Sequence, residues 1–453
     1  MEQTNRDRAM AERIAREAEK LGGRVYYVGG CVRDELLGIE SKDVDVEVHG
    51  LTPAQTEEIL DRLGTRLAFG KSFGIYGLAE CGLDIAMPRQ ETATGRGHRD
   101  FSVSVDPHIG PEKAAERRDF TINAMMQDVL TGQILDPFGG RRDLTNGVIR
   151  HVNAKAFPED PLRVLRAARF AARFGFTVTE ETQDLCRGID LAPLSGERVM
   201  GELQTVLLHT ERPSVFFRIL RDMDQLDVWF PELKALIGVP QERRYHGEGD
   251  VWTHTLMVAD EAAARIGSTE NDLALMLSAL THDMGKAVCT ESAEGRIRAV
   301  GHEKESVALA ERFLRRLTNE RQLIRIVLEL TELHMRPNAA AAEHASIKAT
   351  NRMFDRTQAP EALLALAAAD DRGRITERPQ AENEKTLRQR LATYRETMAR
   401  PYVTGEDLLR AGLEPGPEFS DWLAYAHKLR LAGIGKEDAL KQTLGYAGKN
   451  RKQ

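Results

Sequence analysis

The sequence predicts an α+β protein in which a small mixed-sheet head precedes an all-α neck, a helical body and a helical tail. Over roughly the first 150 residues, short runs of β-branched and aromatic residues alternate with turns and amphipathic segments. From about Phe157 onward the strand signals fade, and apolar residues recur with the period of about 3.6 residues typical of helices. The predicted domains are 1–152 (head, with an N-terminal helix over 1–22), 153–215 (neck), 216–375 (body) and 376–453 (tail).

Each predicted element of the head follows from a local pattern. The first 22 residues are charged and amphipathic, and the predicted helix ends at a Gly-Gly pair. RVYYVGG is a strand that breaks into a second Gly-Gly turn, and KDVDVEVHG is a strand with alternating acidic and valine positions. TPAQTEEILDRLG is a capped helix, and FGKSFGIYGL and LDIAMPR supply two further strands. Together they predict a small sheet covered by helices.

Composition indicates a globular chain of several domains. Of the 453 residues, 42% are hydrophobic and 29% are charged, and 453 residues exceed what one compact core holds. We expect a cytoplasmic protein with no membrane contact, because no apolar stretch approaches the ~20 residues of a bilayer span and the N-terminus lacks a signal-like apolar core. The four cysteines are scattered without a CxxC pair, so neither a disulfide framework nor a zinc knot is predicted.

Charge is unevenly distributed. The net charge of −7 argues weakly against a nucleic-acid binder, since contacts to phosphate need cations. Residues 141–173, however, contain eight Lys or Arg against three acids, and residues 426–453 contain seven against two. Two basic regions on an acidic chain suit a protein that holds a polyanion at chosen surfaces. Solvated helix faces explain the same charges equally well.

The head carries a pattern suited to phosphate chemistry. Asp43 and Asp45 lie two residues apart in a predicted strand and so point the same way, which makes a hard-oxygen site suited to Mg²⁺. Asp84 on a later strand is a candidate third carboxylate. The Gly29–Gly30 turn lets backbone N–H groups approach phosphate, and Arg33 adds a charge. Taken singly, these signals more often mark a solvated strand face and a plain turn.

Their combined spacing is specific. GG-x-VRD, eight residues and then DxD resembles the head of the nucleotidyltransferase superfamily, in particular the bacterial tRNA CCA-adding and poly(A) polymerase group. The resemblance implies that the chain adds or repairs the 3′-terminal CCA of tRNA from CTP and ATP without a nucleic-acid template, by two-metal transfer with Mg²⁺ on Asp43 and Asp45. It implies tRNA as partner, and no obligatory protein partner is evident.

A second family motif follows in RRDFTINAM. The resemblance implies contacts to triphosphate and sugar from Arg118, Asp119 and Asn123. Residues 89–101, RQETATGRGHRDF, resemble the flexible loop that full CCA-adding enzymes need to switch from CTP to ATP. Gly, Thr and Arg suit a mobile lid over phosphates, and without the flanking motifs an ordinary surface loop would be preferred.

FPEDPLRVLRAARFAARF matches the EDxxR element, which in the family selects the incoming base. The resemblance assigns base contacts to Asp160 and Arg163, with Glu159 steadying the arginine. Arg donates and Asp accepts, so together they match cytosine and adenine edges. The rival interpretation makes Asp160 a helix cap before Pro161.

The predicted nucleotide-facing arginine stripe also includes Arg166, Arg169 and Arg173, although part of it is expected to pair with Glu residues. Glu197, Arg198 and Glu202 are predicted framework.

A histidine and aspartate series marks the body. H…HD…H…H…D across helices resembles the HD metal-dependent phosphohydrolase domain, which implies a divalent ion such as Mn²⁺, Ni²⁺ or Mg²⁺. The predicted ligands are His254, His282, Asp283 and Asp370, and His302 and His334 are further candidates. Lys286 is predicted to stabilise developing charge. Implied targets are 2′,3′-cyclic or 2′ phosphates at tRNA ends; the alternative is a vestigial domain that only binds tRNA.

Residues 400–446 resemble the family's tail, which holds tRNA.

Other functions remain open at the level of sequence. A poly(A) polymerase of the same fold and a CC-adding enzyme that stops before the final A share these motifs. A non-catalytic RNA-binding protein is disfavoured because the motif residues are intact; these are Asp43, Asp45, Arg118, Asp160 and Arg163. A chain that acts chiefly as an RNA-end phosphatase through its HD half is the last alternative.

Overall fold

The described part of the chain comprises two structural units. The computed structural model describes residues 2–41, 43–70, 74–93, 101–293, 296–376 and 383–450. One unit contains residues 1–206 and 215–229, and the other contains residues 207–214 and 230–453.

Strands occur mainly in the first unit. In chain order they are β1 Arg24–Val28, β2 Val44–His49, β3 Arg66–Gly70, β4 Ile75–Leu78, β5 Leu83–Ala86, β6 Arg89–Ala93, β7 Phe101–Val105, β8 Met126–Asp128, β9 Ile134–Leu135, β10 Val148–Ile149, β11 Thr177–Val178, β12 Thr290–Ala293 and β13 Arg296–Ala299.

Helices occur in both units and dominate the second. In chain order they are α1 Glu2–Lys20, α2 Gly30–Leu36, α3 Pro53–Leu63, α4 Pro111–Glu116, α5 Gly140–Thr145, α6 Leu162–Phe174, α7 Glu180–Arg187, α8 Gly196–His209, α9 Ser214–Asp222, α10 Pro231–Lys234, α11 Val251–Ala263, α12 Asp272–Thr281, α13 Lys286–Cys289, α14 His302–Leu317, α15 Arg321–Leu333, α16 Arg336–Ala342, α17 Ile347–Phe354, α18 Pro360–Arg372, α19 Asn383–Ala399, α20 Gly405–Arg410, α21 Phe419–Leu431 and α22 Lys436–Asn450.

The head is built on a seven-stranded mixed sheet with the order β3-β4-β5-β2-β1-β8-β9. Strands β2 and β5 are parallel, and the other neighbouring pairs are antiparallel. The parallel register sets Val44 beside Leu83 and Asp45 beside Asp84. The three valines of β2 are fully buried, so hydrophobic burial holds the strand that carries the acidic pair.

Helix α1 packs on this sheet and on α3 through the apolar stripe of Ala11, Ile14, Ala15 and Ala18, all buried. Thr52 caps α3 in a capping box with Gln55. The predicted N-terminal helix and the capped helix are therefore confirmed. Helix α1 is also tied to the sheet by buried Asp7, whose carboxylate accepts from the Gly82 N–H at 2.9 Å.

The second unit is a helical body whose centre is formed by α11, α12, α15 and α18, which pack against one another. Each contributes a face of fully buried leucines, such as Leu256, Leu275, Leu330 and Leu363. Further along the chain, α20, α21 and α22 share a small apolar core around Leu408 and Trp422. Helices with one apolar face bury it in this way because the exposed alternative costs about 25 cal/mol per Å².

The α+β class is confirmed, with two small departures from the predicted all-α neck and body. Strands β10 and β11 form a parallel pair, and β12 and β13 form an antiparallel hairpin. Both pairs escaped prediction because their strands are only two to four residues long, which is too short for a periodic pattern to mark them. The domain boundaries stay a prediction. Among the described residues, no helix is long and apolar enough to cross a membrane.

Candidate functional site

The head carboxylates meet at one edge of the parallel strand pair. Asp45 on β2 lies beside Asp84 on β5, and Asp43 directly precedes β2. Burial raises the pKa of Asp45 to about 6, with Asp84 and Asp43 adding to the rise and Arg118 opposing it. Like charges so placed repel one another, and a bound cation relieves the repulsion. The donor set, three carboxylates at a strand edge, therefore fits Mg²⁺.

The Gly29 turn brings the backbone against this edge. Gly29 has φ 72°, and a Cβ there would lie 3.2 Å from Arg118 Nη1 and 3.8 Å from Asp45 Oδ2. Only glycine tolerates both the positive φ and this approach. Gly30 begins α2. Because Gly29 has no side chain, the turn lies directly beside both Arg118 and Asp45.

Arg118 faces this turn with part of its guanidinium unused. Its Nη2 lies 3.6 Å from Glu47, and its buried Nε has no hydrogen-bond partner among the described residues. Glu47 is buried, yet His49, Arg118 and Arg117 lower its pKa to about 2. A charged, incompletely satisfied guanidinium beside a carboxylate edge suits the binding of a phosphate.

Three of the residues predicted to contact the nucleotide, Arg33, Asp119 and Asn123, form a buried polar network with one another. Arg33 donates to Asn123 Oδ1 at 2.6 Å, and Asn123 Nδ2 donates to Asp119 at 2.9 Å. Arg33 is only 4% exposed and also pairs with Asp34. Because these hydrogen bonds occupy the functional groups, Arg33 and Asn123 hold the motifs together in this arrangement.

Asp119 extends the network to the neck. Its carboxylate accepts from the Phe120 N–H at 2.8 Å and from Arg166 Nε at 2.8 Å. Burial opposes ionisation, but Arg166 and Asn123 lower the pKa of Asp119. Arg169 pairs with Glu202, as expected for part of the arginine stripe, and Arg173 pairs with Asp34 at 3.4 Å.

The EDxxR element begins α6. Asp160 accepts from Arg198 Nη2 at 3.1 Å on both oxygens and from the Leu162 N–H at 3.2 Å. The capping interpretation and the framework role of Arg198 are thus both consistent with the contacts. Arg163 donates to the carbonyls of Ala156 and Arg117 at 2.8 and 2.7 Å. Its partners are backbone carbonyls and not the exposed Glu159, contrary to the expected steadying role.

The HD residues converge from five helices. His254 on α11 approaches Asp370 on α18, with 3.1 Å between Nε2 and Oδ1. Asp283 follows α12, and its oxygens lie 3.3 Å from His282 Nε2, 3.2 Å from His302 Nε2 and 3.7 Å from His334 Nε2. Two triads, His254–His282–Asp370 and Asp283–His302–His334, each gather three potential ligand atoms within 4.8 Å.

Backbone carbonyls select the tautomer of three of these histidines. The Nδ1 atoms of His282, His302 and His334 lie 3.0, 2.8 and 2.7 Å from carbonyl oxygens three residues earlier in the chain. A carbonyl only accepts, so in each neutral ring Nδ1 carries the proton and Nε2 presents a lone pair. The buried Nε2 atoms of His282 and His302 lack a hydrogen-bond partner among the described residues. Lone pairs aimed at a carboxylate fit a divalent cation.

Charge in this cluster is balanced by two cationic side chains. Burial opposes ionisation of Asp283, but Lys286, at 2.7 Å, lowers its pKa well below the ordinary value. Arg374 lowers the pKa of buried Asp370 in the same way. Burial, followed by the nearby His282, lowers the pKa of His334 to about 4, so this imidazole is neutral and able to act as a ligand. The cluster borders a cavity of about 350 Å³.

Comparison with known proteins adds the family. Residues 25–150 match the family model of the poly A polymerase head domain, and residues 251–389 match that of the HD domain. The chain is 37% identical over 440 residues to the multifunctional CCA protein of Xanthomonas campestris, covering 92% of this chain and 100% of the relative. The chain belongs to the multifunctional CCA protein family. Like other members, it is an enzyme of the tRNA nucleotidyltransferase class.

Other members of this family and solved structures agree. The multifunctional CCA protein of Stenotrophomonas maltophilia is 39% identical over 391 residues, covering 81% of this chain and 91% of the relative. An apo CCA-adding enzyme superposes with TM-score 0.68 at 22% identity, covering 97% and 95% of the two chains. The Thermotoga maritima CCA-adding enzyme complexed with tRNA gives 0.63 at 22% identity, covering 98% and 95%. These structures show that the fold is shared.

Within this family fold, the structure brings together the predicted head carboxylates and all six predicted HD ligands. The predicted lid is only partly described: β6 and β7 pair in antiparallel fashion, whereas residues 94–100 lie outside the described residues. The role of the lid and the individual site roles stay predictions.

Sequence reasoning missed three residues of the HD site, which are His246, Glu248 and Arg374. Glu248 accepts from both His246 Nδ1 at 2.8 Å and His254 Nδ1 at 3.0 Å, which orients both rings. Glu248 sits in an irregular loop, so no periodicity marked it. Arg374 follows Asp370 by four residues, and that spacing is the one signal that would have indicated an ion pair.

Proposed function

We propose that this chain adds or repairs the 3′-terminal CCA of tRNA from CTP and ATP, without a nucleic-acid template and by two-metal nucleotidyl transfer. The observation that carries the proposal is the Asp43, Asp45 and Asp84 edge with Gly29 and Arg118 directly beside it. A tRNA 3′ hydroxyl would attack the α-phosphorus of the nucleotide and pyrophosphate would leave. CCA-adding enzymes of the same fold have been solved with tRNA, ATP and CTP.

The protein groups would act by position and charge. Asp43, Asp45 and Asp84 would hold Mg²⁺, which when bound supplies charge neutralisation and activation of the attacking hydroxyl. The Gly29 turn would admit the triphosphate close to the backbone, and Arg118 would add a positive charge beside it. The network of Arg33, Asn123 and Asp119 would hold these groups in register.

Base choice would lie with Asp160 and Arg163. In the nucleotide-free arrangement Arg198 occupies both oxygens of Asp160, so an incoming base would have to share or displace that contact. Replacing Asp160 by Ala should therefore degrade base choice more than triphosphate binding. The ratio of incorporated CTP to UTP, compared with the Kd for CTP, separates the two effects.

Product length tests the proposal. The purified protein is incubated with tRNA lacking CCA and with labelled CTP, ATP or both. CCA addition predicts growth by C, C and A only when both nucleotides are present. A ladder of A residues would indicate a poly(A) polymerase, growth by two C residues would indicate a CC-adding enzyme, and no growth would contradict the proposal.

We also propose that the HD domain is a metal-dependent phosphohydrolase acting on phosphates at RNA ends. The supporting observation is that the buried Nε2 atoms of His282 and His302 lie 3.3 and 3.2 Å from Asp283 and make no hydrogen bond among the described residues. The ligands would be His254, His282, Asp283 and Asp370, with His302 and His334 completing a second position. A bound divalent ion such as Mn²⁺, Ni²⁺ or Mg²⁺ would supply Lewis-acid activation of hydrolysis.

Hydrolysis would add water across the ester. The water oxygen bonds to phosphorus, the ester P–O bond breaks, and the departing alkoxide takes a proton originating from water. Lys286 lies close enough to the ligand Asp283 to balance charge there.

A pair of variants separates the two activities. Asp43→Ala should abolish nucleotide addition and leave hydrolysis of a chromogenic phosphodiester intact, and Asp283→Ala should do the reverse. Loss of both activities in either variant would overturn the assignment of two independent sites. A vestigial HD domain would show no metal-stimulated hydrolysis in the wild type.

A further inference from the structure

Arg374 lines the cavity beside the HD cluster, and one edge of its guanidinium is hydrogen-bonded to Asp370. Its Nε donates to Asp370 Oδ1 at 3.2 Å, and its Nη2 donates to the other oxygen of the same carboxylate. A guanidinium has five N–H donors, so this fork leaves three. The side chain is 30% exposed and lines the cavity.

Lys286, the cation that the sequence singled out, is more fully engaged. Its ammonium lies 2.7 Å from Asp283 and donates to Gln241 Oε1 at 2.8 Å. Arginine also presents a planar fork that matches two phosphate oxygens, whereas lysine offers a single point charge. Of these two cations, Arg374 is the better placed for a bidentate contact with a ligand in the cavity.

The charges around the cavity favour a dianion. Its lining contains three carboxylates and three cations; these are Glu242, Asp283 and Asp370, and Lys286, Arg298 and Arg374. The formal charges of these six side chains sum to zero. One bound divalent cation would therefore give the cavity a net charge of about +2. A phosphomonoester carries ~2 negative charges at neutral pH, because its second pKa is about 6. A phosphodiester carries only one.

We propose that Arg374 binds the substrate phosphate and that the cavity therefore prefers a phosphomonoester to a phosphodiester. This inference rests on the proposed hydrolytic function of the same cavity. The unused edge of Arg374 holds two non-bridging oxygens while Asp370 orients the guanidinium from the opposite edge. Arg374 is thus a specificity-determining residue, and its ion pair with a metal ligand couples phosphate binding to the metal.

The test uses the full-length protein loaded with Mn²⁺ and the variants Arg374→Gln and Arg374→Lys. Calorimetry measures Kd for inorganic phosphate and for Mn²⁺, and kcat/KM is measured for p-nitrophenyl phosphate and bis(p-nitrophenyl) phosphate. Arg374→Gln should weaken phosphate binding and monoester hydrolysis by about 10- to 100-fold and diester hydrolysis by about 3-fold or less. Arg374→Lys should be intermediate. Arg372→Gln is the matched control, because Arg372 pairs with Glu384 instead, and it should change neither.

The remaining outcomes decide against the proposal. Equal loss on both esters, or a drop in Mn²⁺ affinity that accounts for the phosphate effect, would mean that Arg374 only positions Asp370. Absence of phosphate binding in the wild type would also overturn it. If neither ester is hydrolysed, the proposed hydrolytic function fails, and the phosphate titration alone still decides the role of Arg374.

Discussion

The candidate cation ligands of the head site and of the HD site differ in how far they are exposed to solvent. Asp43 and Asp84 are exposed, and only Asp45 is partly buried. In the HD site, His254, His282, Asp283, His334 and Asp370 are all at most 2% exposed, and His302 is 6% exposed. Among the described residues, each three-ligand group within 4.8 Å lies in the second structural unit.

This difference matches the chemistry of the two sites. Mg²⁺ keeps several waters and is usually bound by one or two carboxylates together with substrate phosphates. An exposed carboxylate edge that the triphosphate completes suits that use. Imidazole-rich sites for softer divalent ions are instead built by the fold, with each ring held by a second hydrogen bond. We therefore expect the head to need nucleotide for tight metal binding and the HD domain to need none.

The largest expected effect is at the head. Asp45→Asn keeps the side-chain volume and removes the charge that faces Asp84 and Asp43. We expect nucleotide addition to fall by about 10³-fold or more, because the change removes a metal ligand. HD hydrolysis and the melting temperature should hardly change. A labelled-CTP addition assay measures the effect, and residual activity above ~10% would contradict the metal role.

A comparable change in the HD site should also affect stability. Asp283→Asn leaves Lys286, whose side chain is 14% exposed, beside a neutral amide, and removing one partner of a buried pair costs up to about 3–5 kcal/mol. We expect Mn²⁺ affinity to fall by ~100-fold and the urea midpoint to drop, with CCA addition retained in the folded protein. Asp355→Asn, at the half-exposed pair with His427, is the control. Unchanged Mn²⁺ binding in Asp283→Asn would count against the ligand set.

Comparing Gly29 with Gly22 tests the functional role of the Gly29 turn. Gly29 and Gly22 have similar φ values of 72° and 80°, but a Cβ at Gly22 would meet nothing within 4 Å. Both Ala variants should lose about 1–3 kcal/mol of stability, because alanine rarely adopts a positive φ. Only Gly29→Ala should also reduce nucleotide addition, by roughly 30-fold, because its Cβ approaches Arg118 and Asp45. Equal activity of the two variants would remove the functional argument for Gly29.

The smallest effect concerns a residue outside the predicted ligand set. Glu248→Gln removes the charge that accepts from the Nδ1 atoms of His246 and His254. Outer-shell partners typically contribute ~10-fold or more in metal affinity. We expect a decrease of about 10-fold for Mn²⁺, with no change in CTP addition. An affinity equal to wild type would show that His254 needs no such support.

The sequence predicted those parts of the sites that depend on spacing along one strand or one motif. Asp43 directly precedes β2 and Asp45 lies on it, and the GG turn leads into α2. The parallel pairing of Asp45 with Asp84 needed the sheet order, which local patterns do not encode. The contact of Asp119 with Arg166 joins distant segments. Glu248 lies in an irregular loop just before α11, so periodicity could not indicate its contact with His254 either. Motif resemblance identified Arg33 and Asn123 but not that they bond to each other.

Anomalous diffraction from Mn²⁺-soaked crystals, with and without a non-hydrolysable CTP analogue, tests the contrast between the two sites most directly. We expect a peak at His254, His282 and Asp370 in both crystals. We expect a peak at Asp43, Asp45 and Asp84 that becomes strong only with the analogue, whose triphosphate should lie beside Gly29. A strong head peak without nucleotide, or a triphosphate bound far from Asp45, would contradict it.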